Sequence, residues 1–538
     1  MLLVHDHRFS IVKEFLNECV IGFIMEVLFL VYLLPILIIL IIHIHKTKST
    51  RRASSTPPGP KPFPLIGNLH QLDPSSPHHS LWQLSKHYGP IMSLKLGYIP
   101  TLVVSSAKMA EQVLKTHDLK FASRPSFLGF RKLSYNGLDL ACAPYSPYWR
   151  EMRKLCVHHL FSSQRAHSFR PVRENEVAQL IQKLSQYGGD EKGANLSEIL
   201  MSLTNTIICK IAFGKTYVCD YEEGVELGSG QRRSRLQVLL NEAQALLAEF
   251  YFSDNFPLFG WIDRVKGTLG RLDKTFKELD LIYQRVIDDH MDYSARPKTK
   301  EQEVDDIIDI LLQMMNDHSL SFDLTLDHIK AVLMNIFIAG TDTSSAAVVW
   351  AMTALMNNPR VMNKVQMEIR NLYEDKDFIN EDDIEKLPYL KSVVKETLRL
   401  FPPSPLLLPR ETIESCNIDG YEIKPKTLVY VNAWAIARDP ENWNDPEEFY
   451  PERFIISSVD FKGKNFELIP FGSGRRMCPA MNMGVVTVEL TLANLLHSFD
   501  WKLPHGFDKE QVLDTQVKPG ITMHKKIDLY LVPKKRKP

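Results

Sequence analysis

The residue whose setting most favours special chemistry is Cys478, in the run Phe471-Gly-Ser-Gly-Arg-Arg-Met-Cys478-Pro-Ala480. A glycine-bearing loop precedes it, and a helix-forming stretch, 483–496, follows. A cysteine at a helix N-terminus has its thiolate favoured by free N–H groups and by the helix dipole. Those donors also moderate the charge on sulfur, which suits a ligand to iron. Gly472 and Gly474 would let the backbone approach a flat macrocycle, and Arg476 could reach an anionic group on it. The competing reading is an ordinary buried cysteine. A second cluster, Ala339-Gly340-Thr341-Asp342-Thr343-Ser344, interrupts an apolar stretch. A mid-helix glycine costs about 1 kcal/mol relative to alanine and needs a reason, such as room for a ligand. Asp342 and Thr343 would supply a carboxyl and a hydroxyl for a proton relay; the competing reading is a kink with back-bonded threonines. Glu396 and Arg399 share a helix face, and alone they would be a solvated surface pair. Trp149 and Arg153, at i and i+4, also share a face. Arg410, by itself, would be a surface arginine.

These residues need a large host to position them. The chain has 538 residues, 44% hydrophobic and 24% charged, and so can bury a large core. Its 64 basic residues equal its 64 acidic ones, which excludes nucleic acid as the main partner. Seven cysteines form no CxxC pair. That odd, sparse set disfavours a zinc module and fits reduced thiols facing the cytosol. Asp327 can cap a helix running to about Asn357, just before Pro359. Its 329–339 stretch is apolar on nearly all sides, so it is buried, and the polar cluster at its middle argues against a membrane span. Short strands are expected at 91–96 and 101–104, with Gly97 and Pro100 in the turn. Asp419-Gly420 marks a hairpin. The fold class is therefore mainly α with a minor β part.

One N-terminal transmembrane helix is expected ahead of this unit. Residues 27–42 carry no charge, and the anchor, 20–45, reaches the roughly 20 apolar residues that a bilayer needs. Lys46, Lys48, Arg51 and Arg52 follow, which faces the rest of the chain to the cytosol. Residues 46–64 form a basic, proline-rich linker, stiff through TPPGPKPFP, and 65–538 form one large unit. Residues 1–19 are a polar lead. The segment before Met25-Glu26 and the apolar run is polar and mixed, and residues 1–24 are expected to be dispensable.

Together the motifs resemble the cytochrome P-450 superfamily, whose loop reads F-x-x-G-x-R-x-C-x-G. Phe471, Gly474, Arg476 and Cys478 match, and Ala480 replaces the final glycine. The resemblance implies haem b (iron protoporphyrin IX) as cofactor, with Cys478 as the axial thiolate that pushes electrons toward O–O cleavage. The family's A/G-G-x-D/E-T-T/S matches 339–344. It places Ala339 and Gly340 against the haem and gives Thr343 and Asp342 the delivery of protons. Glu396, Arg399 and the Arg453 of Pro451-Glu-Arg453-Phe454 resemble the family's buried Glu–Arg–Arg network, a structural role. Trp149, Arg153, Arg410 and Arg476 match positions at the haem propionates. The motifs keep the family's order, and the resemblance runs from Thr56 to the end. PPGPKPFPLIGNL, FASRP at 121–125 and PFGSGRRMCPA look like the plant microsomal branch, with its specialised-metabolism enzymes. One departure is Asn335, where that branch often has an aspartate. By the same resemblance, substrate contacts come from 126–139, 250–256, 336–343, 403–408 and 520–522. Phe337, Ile338, Leu406, Leu407 and Ile521 make that lining apolar.

The resulting expectation is a single-pass endoplasmic-reticulum enzyme with its catalytic domain in the cytosol. It would use O2 to insert one oxygen into a small lipophilic substrate. Electrons would come from an NADPH–cytochrome reductase docked on Arg150, Lys154, Lys462, Lys464 and Arg475. One rival is a haem-thiolate lyase or isomerase acting on a peroxide or aldoxime without O2; another is a non-enzymatic haem carrier. Asn195-Leu196-Ser197, a glycosylation triplet, should stay unmodified in a cytosolic domain.

Overall fold

The computed structural model describes residues 37–38, 56–187, 193–214, 225–227, 231–233, 235–294, 305–317, 320–506 and 508–536. The polar lead, Met25, the start of the linker and all of the anchor except Leu37 and Ile38 lie outside the described residues.

Among the described residues, four strands make the largest sheet: β1 (Ile91–Leu96), β2 (Ile99–Val104), β3 (Arg410–Glu411) and β4 (Leu428–Val431). Their order is β1-β2-β4-β3, with β2 parallel to β4 and the other pairs antiparallel. Pro100 lies within β2 and not in the turn; it faces Lys95 across the pair. A proline is tolerated near the start of a strand, so the turn shrinks to Gly97-Tyr98, with Gly97 at φ 60°. The hairpin expected at Asp419-Gly420 is present between Cys416–Ile418 and Tyr421–Ile423. Both turn residues have positive φ, 51° and 85°, as a two-residue hairpin turn requires.

Helices around the site include α1 (Pro147–Leu155), α2 (Leu196–Phe213), α3 (Leu326–Asn357), α4 (Pro388–Leu400) and α5 (Met481–Ser498). The helix α3 begins two residues earlier than a cap at Asp327 implies. Its cap is Thr325, whose Oγ1 lies 2.7 Å from His328 Nδ1, and Asp327 sits in the first turn. Both α2 and α3 are long and apolar enough to cross a bilayer, yet 67% and 72% of their apolar windows are buried inside this domain. Their apolar surface belongs to a protein core. Gly340 explains how closely they approach: a Cβ there would stand 2.7 Å from Ile208 Cδ1 of α2. The glycine borders both α2 and the cavity, which it lines.

Candidate functional site

The Cys478 loop is held from both ends. Cys478 N–H donates to Phe471 O at 3.0 Å, closing the loop on itself, and α5 starts three residues later. Gly474 has φ 70°, and a Cβ on it would lie 2.2 Å from Leu114 O. Its missing side chain therefore admits the neighbouring backbone around Leu114, not a macrocycle as expected. Gly472, φ 71°, does line the cavity, where only Leu407 Cδ1 at 3.7 Å comes near a Cβ. Burial pushes the Cys478 thiol above its ordinary value, while the Ala480 N–H and the Arg153 charge pull the other way. The two latter groups are what a thiolate at this depth needs.

Above the cysteine lies a cavity of about 490 Å³, within the range of small-molecule and cofactor sites. Cys478, Phe471, Met477 and Ala480 line it, and so do Ile338, Ala339, Gly340, Asp342 and Thr343 of α3. Ala339 is exposed to it although most of α3 is buried. A methyl is the largest group there, which leaves a flat face. Side-chain donors crowd the carbonyls of this turn. Thr343 Oγ1 donates to Ala339 O at 2.7 Å, Gln244 to Ile338 O at 3.0 Å, and Thr204 to Thr341 O at 2.7 Å. The back-bonding of the competing reading is thus present. With its proton committed to Ala339, the Thr343 hydroxyl offers its lone pairs as acceptors. Asp342 is almost fully buried and faces His524 Nε2 at 2.6 Å. His524, from the C-terminal loop, also lines the cavity and was not singled out in the sequence.

Four arginines gather at one side of this cavity: Arg124, Arg153, Arg410 and Arg476. Arg476 donates to the carbonyls of Ala122 (2.7 Å), Leu140 (3.3 Å) and Ala143 (2.6 Å) and stacks on Trp149, 3.8 Å from its ring centre. Arg153 donates to Met477 O at 2.8 Å. Arg410 lies 3.4 Å from Asp118 Oδ1. Arg124 donates to Ala141, Leu408 and Pro409 carbonyls at 2.7–2.9 Å. Burial, with repulsion from Arg124 and Arg410, pushes Arg476 down to about 8. Burial and Arg410 bring Arg124 to about 9. Guanidinium groups stay charged in proteins, so such a cluster calls for an anionic ligand. Carboxylates on a flat cofactor would answer that demand. The residues present therefore fit haem.

Not every expected residue reaches the cavity. Trp149 is buried behind Arg476, its Nε1 donating to Leu140 O at 2.9 Å. Phe337 is fully buried and stacks on Phe213 at 4.5 Å. Leu406 packs with Leu81, Met92, Leu94 and Val103 under the sheet. The stretch 250–256 is an aromatic cluster, where Phe256 meets Tyr98 at 6.0 Å; Asn241, Gln244 and Leu247, just before it, line the cavity instead. Ile338, Leu407 and Ile521 line it as expected. Glu396 and Arg399 are fully buried and bidentate, at 2.7 and 2.8 Å, and Arg453 reaches Glu396 at 3.1 Å. Arg399 also donates to the Ala437, Pro446 and Glu448 carbonyls. This network stands away from the cavity and ties α4 to the segment that leads into the cysteine loop.

The class defined by this fold and site is that of the cytochrome P-450 family, to which the chain belongs: the family model matches residues 57–532. Among its relatives is 6,7,8-trihydroxycoumarin synthase of Pastinaca sativa, 46% identical, with 94% of this chain and 98% of the relative covered. Cytochrome P-450 71B37 of Arabidopsis thaliana is 48% identical, covering 94% and 99%. The 5-OH-xanthotoxin synthase of Ammi majus is 47% identical, covering 94% and 98%. Of solved structures, a zebra fish cytochrome P-450 with progesterone has a TM-score of 0.70 at 25% identity, covering 85% of this chain and 99% of that one. The chain is thus a haem-dependent, haem-thiolate monooxygenase of plant specialised metabolism.

Proposed function

We propose that the cofactor is haem b, and that Cys478 Sγ would hold its iron while Arg124, Arg153, Arg410 and Arg476 would hold its carboxylates. The observation that carries this is the convergence of Cys478, the bare Ala339 face and the four arginines on one cavity. When bound, haem supplies activation of O2 at a thiolate-ligated iron. Thr343 positions a water through its hydroxyl oxygen, and Asp342, held by His524, passes protons inward from the C-terminal loop. Ile338, Leu407 and Ile521 seat a lipophilic substrate and exclude bulk water. The coumarin in the name of the Pastinaca relative makes coumarins the first compounds to test.

The rest of the reading concerns the cell. An NADPH-dependent reductase supplies electrons at the face that carries Arg150, Lys154, Lys462, Lys464 and Arg475, all exposed. Residues 20–45 anchor the enzyme in the endoplasmic-reticulum membrane with the catalytic domain in the cytosol. Asn195 caps α2 through the Glu198 N–H and donates to Asp528 at 3.2 Å, and on the cytosolic side it stays unglycosylated.

The test of the relay is Thr343→Ala. Positioned proton transfer is typically worth about 10²–10⁴-fold. The variant should bind haem and substrate as before and go on consuming NADPH, but release hydrogen peroxide in place of oxygenated product. Unchanged product yield per NADPH would overturn the role of Thr343. Wild-type turnover with no need for NADPH would favour the lyase reading.

A further inference from the structure

Asn335, the departure noted in the sequence, lies one turn before Ala339 on α3 and lines the cavity. Its Oδ1 accepts the N–H groups of Leu140 and Ala141, both at 2.9 Å. Its Nδ2 donates to Asp139 Oδ2 at 2.8 Å. Asp139 is buried and accepts the N–H groups of Cys142 at 3.0 Å and Ala143 at 2.7 Å. Two backbone donors on one side and a carboxylate on the other fix which end of the amide is oxygen. The carbonyls of the same stretch face the other way: Leu140 O accepts from Trp149 and Arg476, Ala141 O from Arg124, and Ala143 O from Arg476. Residues 139–143 are therefore a wall clamped between α3 and the arginine cluster. Asp139, Leu140, Ala141 and Cys142 of that wall line the cavity.

We propose that Asn335 is a positioning residue for the substrate cavity: its carboxamide, acceptor and donor at once, holds the 139–143 wall against α3 and so sets the shape of the cavity there. The proposal rests on reading that cavity as the haem and substrate site. An aspartate at 335 could still accept the two N–H groups, but it would set a second carboxylate against Asp139 in a buried place. Exchanging the two residues restores the pattern. The carboxamide, now at position 139, would accept from Cys142 and Ala143 through its oxygen and donate from its nitrogen to the carboxylate at position 335. That carboxylate keeps its other oxygen for Leu140 and Ala141.

The experiment compares wild type, Asn335→Asp, Asn335→Ala and the double exchange Asp139→Asn with Asn335→Asp, each as holoprotein. Hydrogen exchange is followed in peptides covering 139–143, and 4-phenylimidazole is titrated by its spectral shift. Both single variants should exchange about tenfold faster there and bind the probe several-fold more weakly: Asn335→Ala loses both backbone hydrogen bonds, and Asn335→Asp is pushed away from the wall by Asp139. The double exchange should return both readouts to within about twofold of wild type. Unchanged exchange in both single variants, or a double exchange no nearer wild type than Asn335→Asp, overturns the clamp. Faster exchange with unchanged probe affinity overturns its role in shaping the cavity. A wild type that gives no probe spectrum contradicts the cavity reading itself, while exchange still reports on the clamp.

Discussion

A thiol at the bottom of an apolar cavity is a poor acid, and Cys478 owes its usefulness to its neighbours. Burial raises it, and the Ala480 N–H and Arg153 are the groups that favour the anion. Serine at this position keeps its proton and is a poor ligand for a soft metal site. Cys478→Ser is therefore expected to lose the thiolate band in the carbon-monoxide difference spectrum of the reduced protein; an unchanged band would remove Cys478 as the ligand. Cys478, Arg476 and Thr343 were legible in the sequence because their spacing within short motifs already encodes a loop or a helix face. His524 was not, since it meets Asp342 across 182 residues and a lone histidine carries no local signal. Arg124 stood in FASRP without an assigned role, because its partners Leu408 and Pro409 lie more than 280 residues away. Phe337 was misplaced for a different reason: neighbours on a helix point about 100° apart, so Ile338 faces the cavity while Phe337 faces α2.

At the scale of elements, α4 and α5 show two ways in which burial constrains charge. Glu396 accepts from Arg399, Arg453 and the Tyr450 N–H. Removing one member leaves the others buried and uncompensated, at a cost of roughly 3–5 kcal/mol. Glu396→Ala is accordingly expected to give little folded holoprotein, read as haem content per polypeptide; normal content would show that the network is dispensable. The sequence could place this pair on one helix face but could not decide between a solvated and a buried face, because that depends on the segment around Ala437 and Glu448 folding over it. On α5, burial pushes Glu489 up to about 7 from an ordinary 4.5. Below pH 4.5 both folded and unfolded chains are protonated and nothing is lost. Between 4.5 and 7 only the unfolded chain ionises, so stability falls as pH rises. Above 7 the full penalty, on the order of 3 kcal/mol, is present. Glu489→Gln should raise the thermal midpoint more at pH 8 than at pH 5. An equal shift at the two pH values would contradict the raised carboxyl.

Across the whole molecule, the cavity belongs to no single element. α3 supplies the bare face and the acid, the cysteine loop the floor, and the C-terminal loop His524. The 139–143 wall and the segment around Arg410 close the side that carries the arginines. The fold class, the helix across the core and the hairpin follow from local pattern and were legible in the sequence. Leu406 and 250–256 were assigned to a lining they do not form, because such contacts depend on how segments far apart in the chain meet. The most direct measurement of the central claim uses the full chain in lipid vesicles with an NADPH-dependent reductase, a coumarin that gives a spectral shift on binding, and isotopically labelled O2. The account predicts one labelled oxygen atom in the product, the other in water, and no product when NADPH or O2 is left out. Product formed without O2, or carrying oxygen from water alone, would contradict it.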